Sequence, residues 1–471
     1  MKNKILALLT AAMITAPVVK AYESNAVNFT MRGTLNSDSA IVVNLDCDTV
    51  IHEKNADTQQ LPGPLVNIMT AVVCMENCEN LSQEITIDED VYSYLYNTEY
   101  PDDLRYADIL DGDVLTYNDL LYAMMLTSSV EAAETIAYNI GGGDVSVFVE
   151  MMNKKADELG MENTNFTNAT GMYNVEQYTT VRDMMILTKY ALNKSHFEDI
   201  CSTYVYTPSV PNFNSHPIEQ KWRWFNSNLM MDEENDKYYY KGVKGIKTGN
   251  LELGGRNIVA MAGKDGHNYL VIGMRAPIND EDGVTKFYHL DDATQMFDWA
   301  FNHFSYEVIL ADTAELGELP VDLADGSSYV LAKPAEEISL LWHDEIDISL
   351  ISMDNITWYK KELQAPVKKG DPLGRVTLEY SGEKLADVEL VAVSSVERSA
   401  LKYNIYAAKL FLKSSWISKA LTIAGIISSL YIILCIYSYV LFKSHSKPLK
   451  PMYAVPKVDK EKKTKDTNTN K

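Results

Sequence analysis

From Leu421 to Phe442 the chain runs for 22 residues without a charged side chain, and no other segment limits its possible folds so strongly. A helix rises about 1.5 Å per residue, so such a run covers the roughly 30 Å of hydrocarbon in a bilayer. Its polar members include Ser428, Ser429 and Ser438, whose hydroxyls can bond back to helix carbonyls. Lys443, Lys447 and Lys450 follow at once, and lysine excess marks the cytoplasmic side of a span. The expectation is a single transmembrane helix over 421–442, with Trp416 and Lys419 at the outer interface and the C-terminus in the cytoplasm. The Lys-rich tail, 443–471, has no core-forming pattern and is expected to be disordered.

The other end carries a second targeting signal. Lys2 and Lys4 precede the apolar run Ile5–Ile14, and Val19-Lys20-Ala21 reads as a small-residue cleavage site. Residues 1–21 are therefore expected to be a secretory signal, too short in its apolar core to span a bilayer. Charge sharpens the picture. The chain has 65 acidic and 42 basic side chains, a formal charge of −23. The first 21 residues contribute +3 and residues 443–471 contribute +6, which leaves −32 on the stretch between. An acidic body of this kind argues against nucleic acid as a partner. The five cysteines (Cys47, Cys74, Cys78, Cys201, Cys435) are odd in number, with Cys435 inside the span, so no disulfide framework is expected. Cys74 and Cys78 read as small buried hydrophobes. The eight histidines are scattered without metal-ligand spacing, and no zinc site is expected.

Between the ends the pattern alternates helix and strand. Ser39–Leu45 and Val50–Glu53 read as a hairpin about Asp46-Cys47-Asp48. Leu65–Glu76 has helical spacing after Pro62-Gly63-Pro64, and Tyr117–Tyr138 reads as one long helix with Thr116 or Asn118 as its cap. Val145–Leu159, Val181–Leu192 and Asp291–His303 are further helices. Gly245–Arg275 reads as two strands about Lys264-Asp265-Gly266. From Glu307 onward short alternating segments, such as Val376–Tyr380 and Val388–Val393 about Ser381-Gly382-Glu383, predict a small all-β domain. Ser399–Lys419 is an amphipathic lead-in to the span, suited to a membrane surface.

Several blocks in this order resemble the low-molecular-weight penicillin-binding proteins, the serine-type D-alanyl-D-alanine carboxypeptidases, over about residues 38–397. They are Ala40-Ile41-Val42-Val43, Glu53-Lys54-Asn55-Ala56-Asp57, Ile68-Met69-Thr70-Ala71, Asp119-Leu120-Leu121-Tyr122, Phe166-Thr167-Asn168-Ala169-Thr170-Gly171-Met172 and Gly245-Ile246-Lys247-Thr248-Gly249. The resemblance implies an α+β fold: a beta-lactamase/transpeptidase-like domain, an antiparallel sheet with helices on both sides, over 30–304. A small β domain over 305–398, a linker over 399–420 and the span over 421–442 would follow. It implies no cofactor.

It also implies where the chemistry should be, and there the chain departs from the family. The family's Ser-x-x-Lys, nucleophile and base one helical turn apart, falls on Pro64-Leu65-Val66-Asn67. Proline carries no nucleophile and an amide takes no proton, and Ile68-Met69-Thr70 fixes the register. The second motif, Ser-x-Asn, falls on Ser128-Ser129-Val130. Ser128 is kept, but valine replaces the amide that would hold a substrate peptide. With no partner base evident, a hydroxyl bonding the helix start is expected here. The third motif is intact: Lys247 and Thr248 would bind a terminal carboxylate, and Gly249 would admit the substrate backbone. The leading expectation is a non-catalytic pseudoenzyme that binds a peptidoglycan stem peptide or an envelope protein, with Ser128, Lys247, Thr248 and Gly249 as binding residues. The alternatives are an active carboxypeptidase with an unmatched nucleophile such as Ser128, and a structural module with a vestigial cleft.

Overall fold

A computed structural model describes residues 29, 31–208 and 222–445. The expected signal sequence and the tail beyond 445 lie outside the described residues. Two compact units result: one takes the chain up to Glu318 with Leu331–Lys361 and Lys369–Val393, the other Leu319–Val330, Glu362–Lys368 and the chain from Ser394.

The first unit opens with the hairpin β1 (Ser39–Asn44) and β2 (Thr49–Lys54). A 3-10 turn, Gly63–Val66, runs into α1 (Asn67–Asn77). The short pair β3 (Glu84–Thr86) and β4 (Val114–Thr116) leads to α2 (Tyr117–Thr127), α3 (Val130–Ile140) and α4 (Val145–Leu159). Next come α5 (Val181–Leu192), α6 (Phe197–Cys201) and the short pair β5 (Val205–Tyr206) and β6 (Trp224–Phe225). Three long strands follow, β7 (Val243–Leu251), β8 (Gly255–Lys264) and β9 (His267–Ala276), and α7 (Tyr288–His303) closes the series.

The five long strands form one antiparallel sheet in the order β2-β1-β9-β8-β7. Alternation along each strand sends side chains to opposite faces. Ile41, Val43, Val259, Met261, Leu270 and Ile272 point one way, into a cluster built with α1 to α5. Helix α7 packs on the opposite face against β8 and β9, where Tyr269 meets the ring of Phe301 edge-on at 5.0 Å. The expected α+β sandwich with helices on both sides is therefore the one observed. The β8–β9 turn places Asp265 and Gly266 at φ 52° and 85°, the two left-handed residues that a twisted two-residue hairpin needs.

Two helical expectations change. The predicted helix over Leu65–Glu76 is preceded and entered by a 3-10 turn, Gly63–Val66, and regular α-helix starts only at Asn67. The single helix predicted over Tyr117–Tyr138 is two. Ser128 adopts a left-handed conformation (φ 63°) that ends α2, and Ser129 caps α3 by accepting from Ala132 N. Apolar spacing continues on both sides of this break, so periodicity alone does not show it. The cap of α2 is Thr116, in a reciprocal box with Asp119.

After α7 the chain turns to strand. In the first unit β10 (Phe304–Leu310) pairs with β13 (Ile338–His343) once β11 (Gly317–Asp322) and β12 (Tyr329–Pro334) have been passed. β14 (Ser352–Trp358) pairs with β16 (Pro372–Tyr380), and β16 with β17 (Glu383–Ala392); Ala332–Pro334 adds to the other side of β17. In the second unit Val321 and Asp322 of β11 run parallel to β15 (Leu363–Gln364). Its helices are α8 (Ala400–Lys413), which buries none of its residues, and the 31-residue α9 (Ser415–His445), which contains the predicted span. Alpha-9 is long and apolar enough to cross a membrane.

Candidate functional site

Three segments far apart in sequence meet at the edge of the sheet. The 3-10 turn brings Pro64 against β7, so close that a Cβ on Gly249 would lie 3.2 Å from Pro64 Cδ. Asn257 of β8 secures this turn through Nδ2, which donates to Pro62 O at 3.0 Å. The loop carrying Gly171 lies on the other side of it. A Cβ there would fall 2.2 Å from Gly63 O, and its φ of +84° suits only glycine well. Glycine at 249 would admit a substrate backbone, but the proline ring occupies part of that approach.

Asn67 lies one turn further on, fully buried and away from the cleft's lining. Its Nδ2 donates to Ala169 O at 3.2 Å, while its Oδ1 has no partner among the described residues. The amide is thus held as a donor to the neighbouring loop. Nothing at this position accepts a proton.

Ser128 and Lys247 form the closest polar contact of the site. Lys247 Nζ lies 2.5 Å from Ser128 Oγ and donates to Thr248 O at 3.0 Å. Its side chain is buried, and among the described residues no carboxylate pairs with it. Burial without a counter-ion disfavours the ammonium, which pushes the Lys247 pKa down to about 7, with the nearby Cys201 opposing slightly. Of the two serines, Ser129 bonds the helix start as expected, while the Ser128 hydroxyl instead meets the Lys247 amine. Val130, in place of the expected amide, sits in the hydrophobic core. Thr248 Oγ1 is 2.8 Å from Ser227 Oγ.

Together Pro64, Ser128, Thr248 and Gly249 line a cleft of about 120 Å³, completed by Arg105, Ser227, Asn250, Arg256, Phe287 and His289. The arginines and His289 were not read from the sequence. Arg256 could have been, because the β7–β8 register sets it opposite Asn250, next to the third motif. Arg105 and His289 come from remote segments with no local signal. Arg256 stacks on Phe287 at 4.5 Å, and its Nε has no partner among the described residues. Burial, then the like charge of Arg105, lowers its pKa. His289 is buried with Nδ1 unpartnered, and burial holds it neutral, its pKa pushed down to about 3. The cleft is cationic, and neither arginine forms an ion pair among the described residues.

Behind it, α3 anchors the wall that carries Arg105. The Glu131 carboxylate accepts from Ser129 Oγ and from Ala107 N at 3.2 Å, and Val130 N donates to Arg105 O at 2.9 Å. Burial raises the Glu131 pKa to about 7 against the pull of these donors. Glu134, also raised by burial, accepts from Tyr94 Oη at 2.5 Å.

Elsewhere, the end of α7 and the pairing of Phe304 with His343 bring His303 and His343 together beside Asp344, a grouping that histidine spacing did not indicate. The two imidazoles stack in planes 3° apart with centroids at 5.3 Å. Their in-plane lone pairs therefore run in parallel planes and do not converge on a common point. Cys74 is buried as expected of a small hydrophobe, but Cys78 is partly exposed; Cys201 is buried too, and all are free thiols.

A family described as D-alanyl-D-alanine carboxypeptidase matches residues 24–277, and one described as penicillin-binding protein 5, C-terminal domain, matches 325–398. The D-alanyl-D-alanine carboxypeptidase DacF of Bacillus subtilis is 24% identical over 85% of this chain and 96% of its own length. The D-alanyl-D-alanine carboxypeptidase of Streptomyces sp. strain K15 is 29% identical over 52% of this chain and 81% of its own. Among solved structures, penicillin-binding protein 5 of Haemophilus influenzae superposes with a TM-score of 0.54 at 22% identity, over 79% of this chain and all of the other.

Proposed function

The chain belongs to the D-alanyl-D-alanine carboxypeptidase family, which acts on peptidoglycan peptides, and from that premise we propose that it is a membrane-anchored envelope protein that binds a stem-peptide terminus without hydrolysing it. The reading is supported by the sequence: Pro64 and Asn67 fall where the motif order would set the family's nucleophile and base, and Lys247-Thr248-Gly249 reads as an intact third motif. A terminal carboxylate entering the cleft would meet the Thr248 hydroxyl and two guanidinium groups that have no anionic partner among the described residues. Hydrogen bonds to charged groups of this kind are among the stronger ones, and an anion would relieve the unsatisfied Arg256 Nε. With neither nucleophile nor base of the family in place, the peptide would be held intact.

The test is titration of the full chain in detergent with a pentapeptide ending in D-alanyl-D-alanine. Binding is expected, weakened about tenfold by Thr248→Val, the worth of one such bond, and lost with Lys247→Ala. Absence of binding, or release of D-alanine above background, would overturn the reading.

Alpha-9 is the proposed anchor, with the acidic body outside and the Lys-rich tail inside, as lysine excess after the span favours. Protease added to intact cells is then expected to remove the body and spare an epitope placed on the tail. Loss of the epitope alone would reverse the orientation.

A further inference from the structure

We propose that Ser128 is an acyl-accepting nucleophile with Lys247 as its base, so that the cleft can open short-chain acyl esters through a serine distinct from the family's nucleophile position. The contact is already in reacting geometry, with the amine nitrogen 2.5 Å from the hydroxyl oxygen, within reach for proton transfer. The amine has lost the features that usually keep lysine charged: it is buried, and among the described residues it contacts only Ser128 Oγ and a backbone carbonyl. A buried lysine of this kind supplies a lone pair near neutral pH. Ser128 also sits in a left-handed backbone conformation, φ 63° and ψ 33°, which costs a side-chain-bearing residue energy and is a recurrent feature of functional positions. It presents the hydroxyl to the cleft, between the end of α2 and β7.

The cleft's size and charge set the substrate class. At about 120 Å³ it has room for only a few water-sized groups, which suits the acyl end of an acetyl or propionyl ester. Arg105 and Arg256 line it, so the oxyanion formed from the acyl carbonyl oxygen would develop in a positive field. In the first step Ser128 Oγ bonds to the acyl carbon while its proton passes to Lys247 Nζ. The acyl–oxygen bond then breaks, and the departing alcohol takes that proton. Water repeats the sequence on the acyl-serine, with Lys247 again receiving the proton, and releases the carboxylic acid and free Ser128. Atoms and protons balance with water as the sole co-reactant.

This reading shares the cleft with peptide binding but not its outcome. Release of D-alanine bears on the binding proposal, and modification of Ser128 bears on this one. The experiment treats the full chain in detergent with methanesulfonyl fluoride, which loses fluoride to form a sulfonyl-serine, maps the modified peptide by mass, and follows p-nitrophenyl acetate cleavage in parallel. Modification at Ser128 is expected, with a burst of p-nitrophenol that prior sulfonylation abolishes. Lys247→Met is expected to slow both by about 100-fold, the lower range for loss of a general base. Ser128→Gly removes the hydroxyl at a position where glycine adopts the same backbone freely, so its loss of labelling cannot be put down to misfolding. Labelling at Ser129 or Ser227, labelling of Ser128 unchanged by Lys247→Met, or no labelling of folded protein would each overturn the proposal.

Discussion

Replacing Pro64 by serine and Asn67 by lysine together is expected to yield a chain that labelled penicillin acylates at residue 64, whereas each single replacement leaves that position unlabelled. Nucleophile and base act as one unit. Removing either in a comparable site costs nearly as much as removing both, on the order of 10⁶ in turnover, so restoring one alone recovers almost nothing. The site offers both replacements a place. Serine is smaller than the proline ring that now crowds Gly249, and the Ala169 carbonyl that accepts from Asn67 could accept from a lysine. Gel fluorescence after incubation with the labelled drug reads the outcome. A folded double variant that stays unlabelled would place the defect beyond these two positions, with Val130 the next candidate. Labelling of residue 64 in Pro64→Ser alone would show that another base, such as Lys247, reaches it.

The second large effect concerns pH. Glu131 has its folded pKa raised from 4.5 to about 7, chiefly by burial. The folded state therefore holds a proton that the unfolded state has released between those values. Stability from this group is fully present below about pH 4.5 and is lost as pH rises through 7, by about 3 kcal/mol in all. Glu131→Gln removes the titration while keeping an acceptor for Ala107 N. Urea unfolding is expected to show the variant gaining about 3 kcal/mol relative to wild type between pH 4 and pH 8. A difference that stays flat across that range would sink the assignment. Because Glu131 holds the segment next to Arg105, the same titration bears on one wall of the cleft.

Much of this architecture was legible in the residues. The hairpin about Asp265-Gly266 follows from turn chemistry, and the apolar spacing of Val145–Leu159 and Val181–Leu192 located α4 and α5. Less legible was the break at Ser128, where the apolar spacing of α2 and α3 continues through a left-handed residue. Nor does the apolar spacing of Leu65–Glu76 show the 3-10 turn over Gly63–Val66 that precedes α1. Each miss has the same form: a local backbone constraint overrode a pattern summed over many residues.

The site divides along a similar line. The chain alone determined which atoms exist at residues 64, 67 and 247–249: a proline ring, a side-chain amide and a Lys-Thr-Gly run. It determined as well that one long apolar helix lies near the C-terminus, because hydrophobic length is a property of consecutive residues. Only the tertiary structure decided that Ser128 meets Lys247, 119 positions away, and that Arg105, Arg256 and His289 share a cleft with Ser128. A side chain's proton affinity depends on which groups folding sets within a few ångströms of it, and on how much water it excludes. Neither is a property of sequence neighbours, so the charge state of the buried lysine follows from packing.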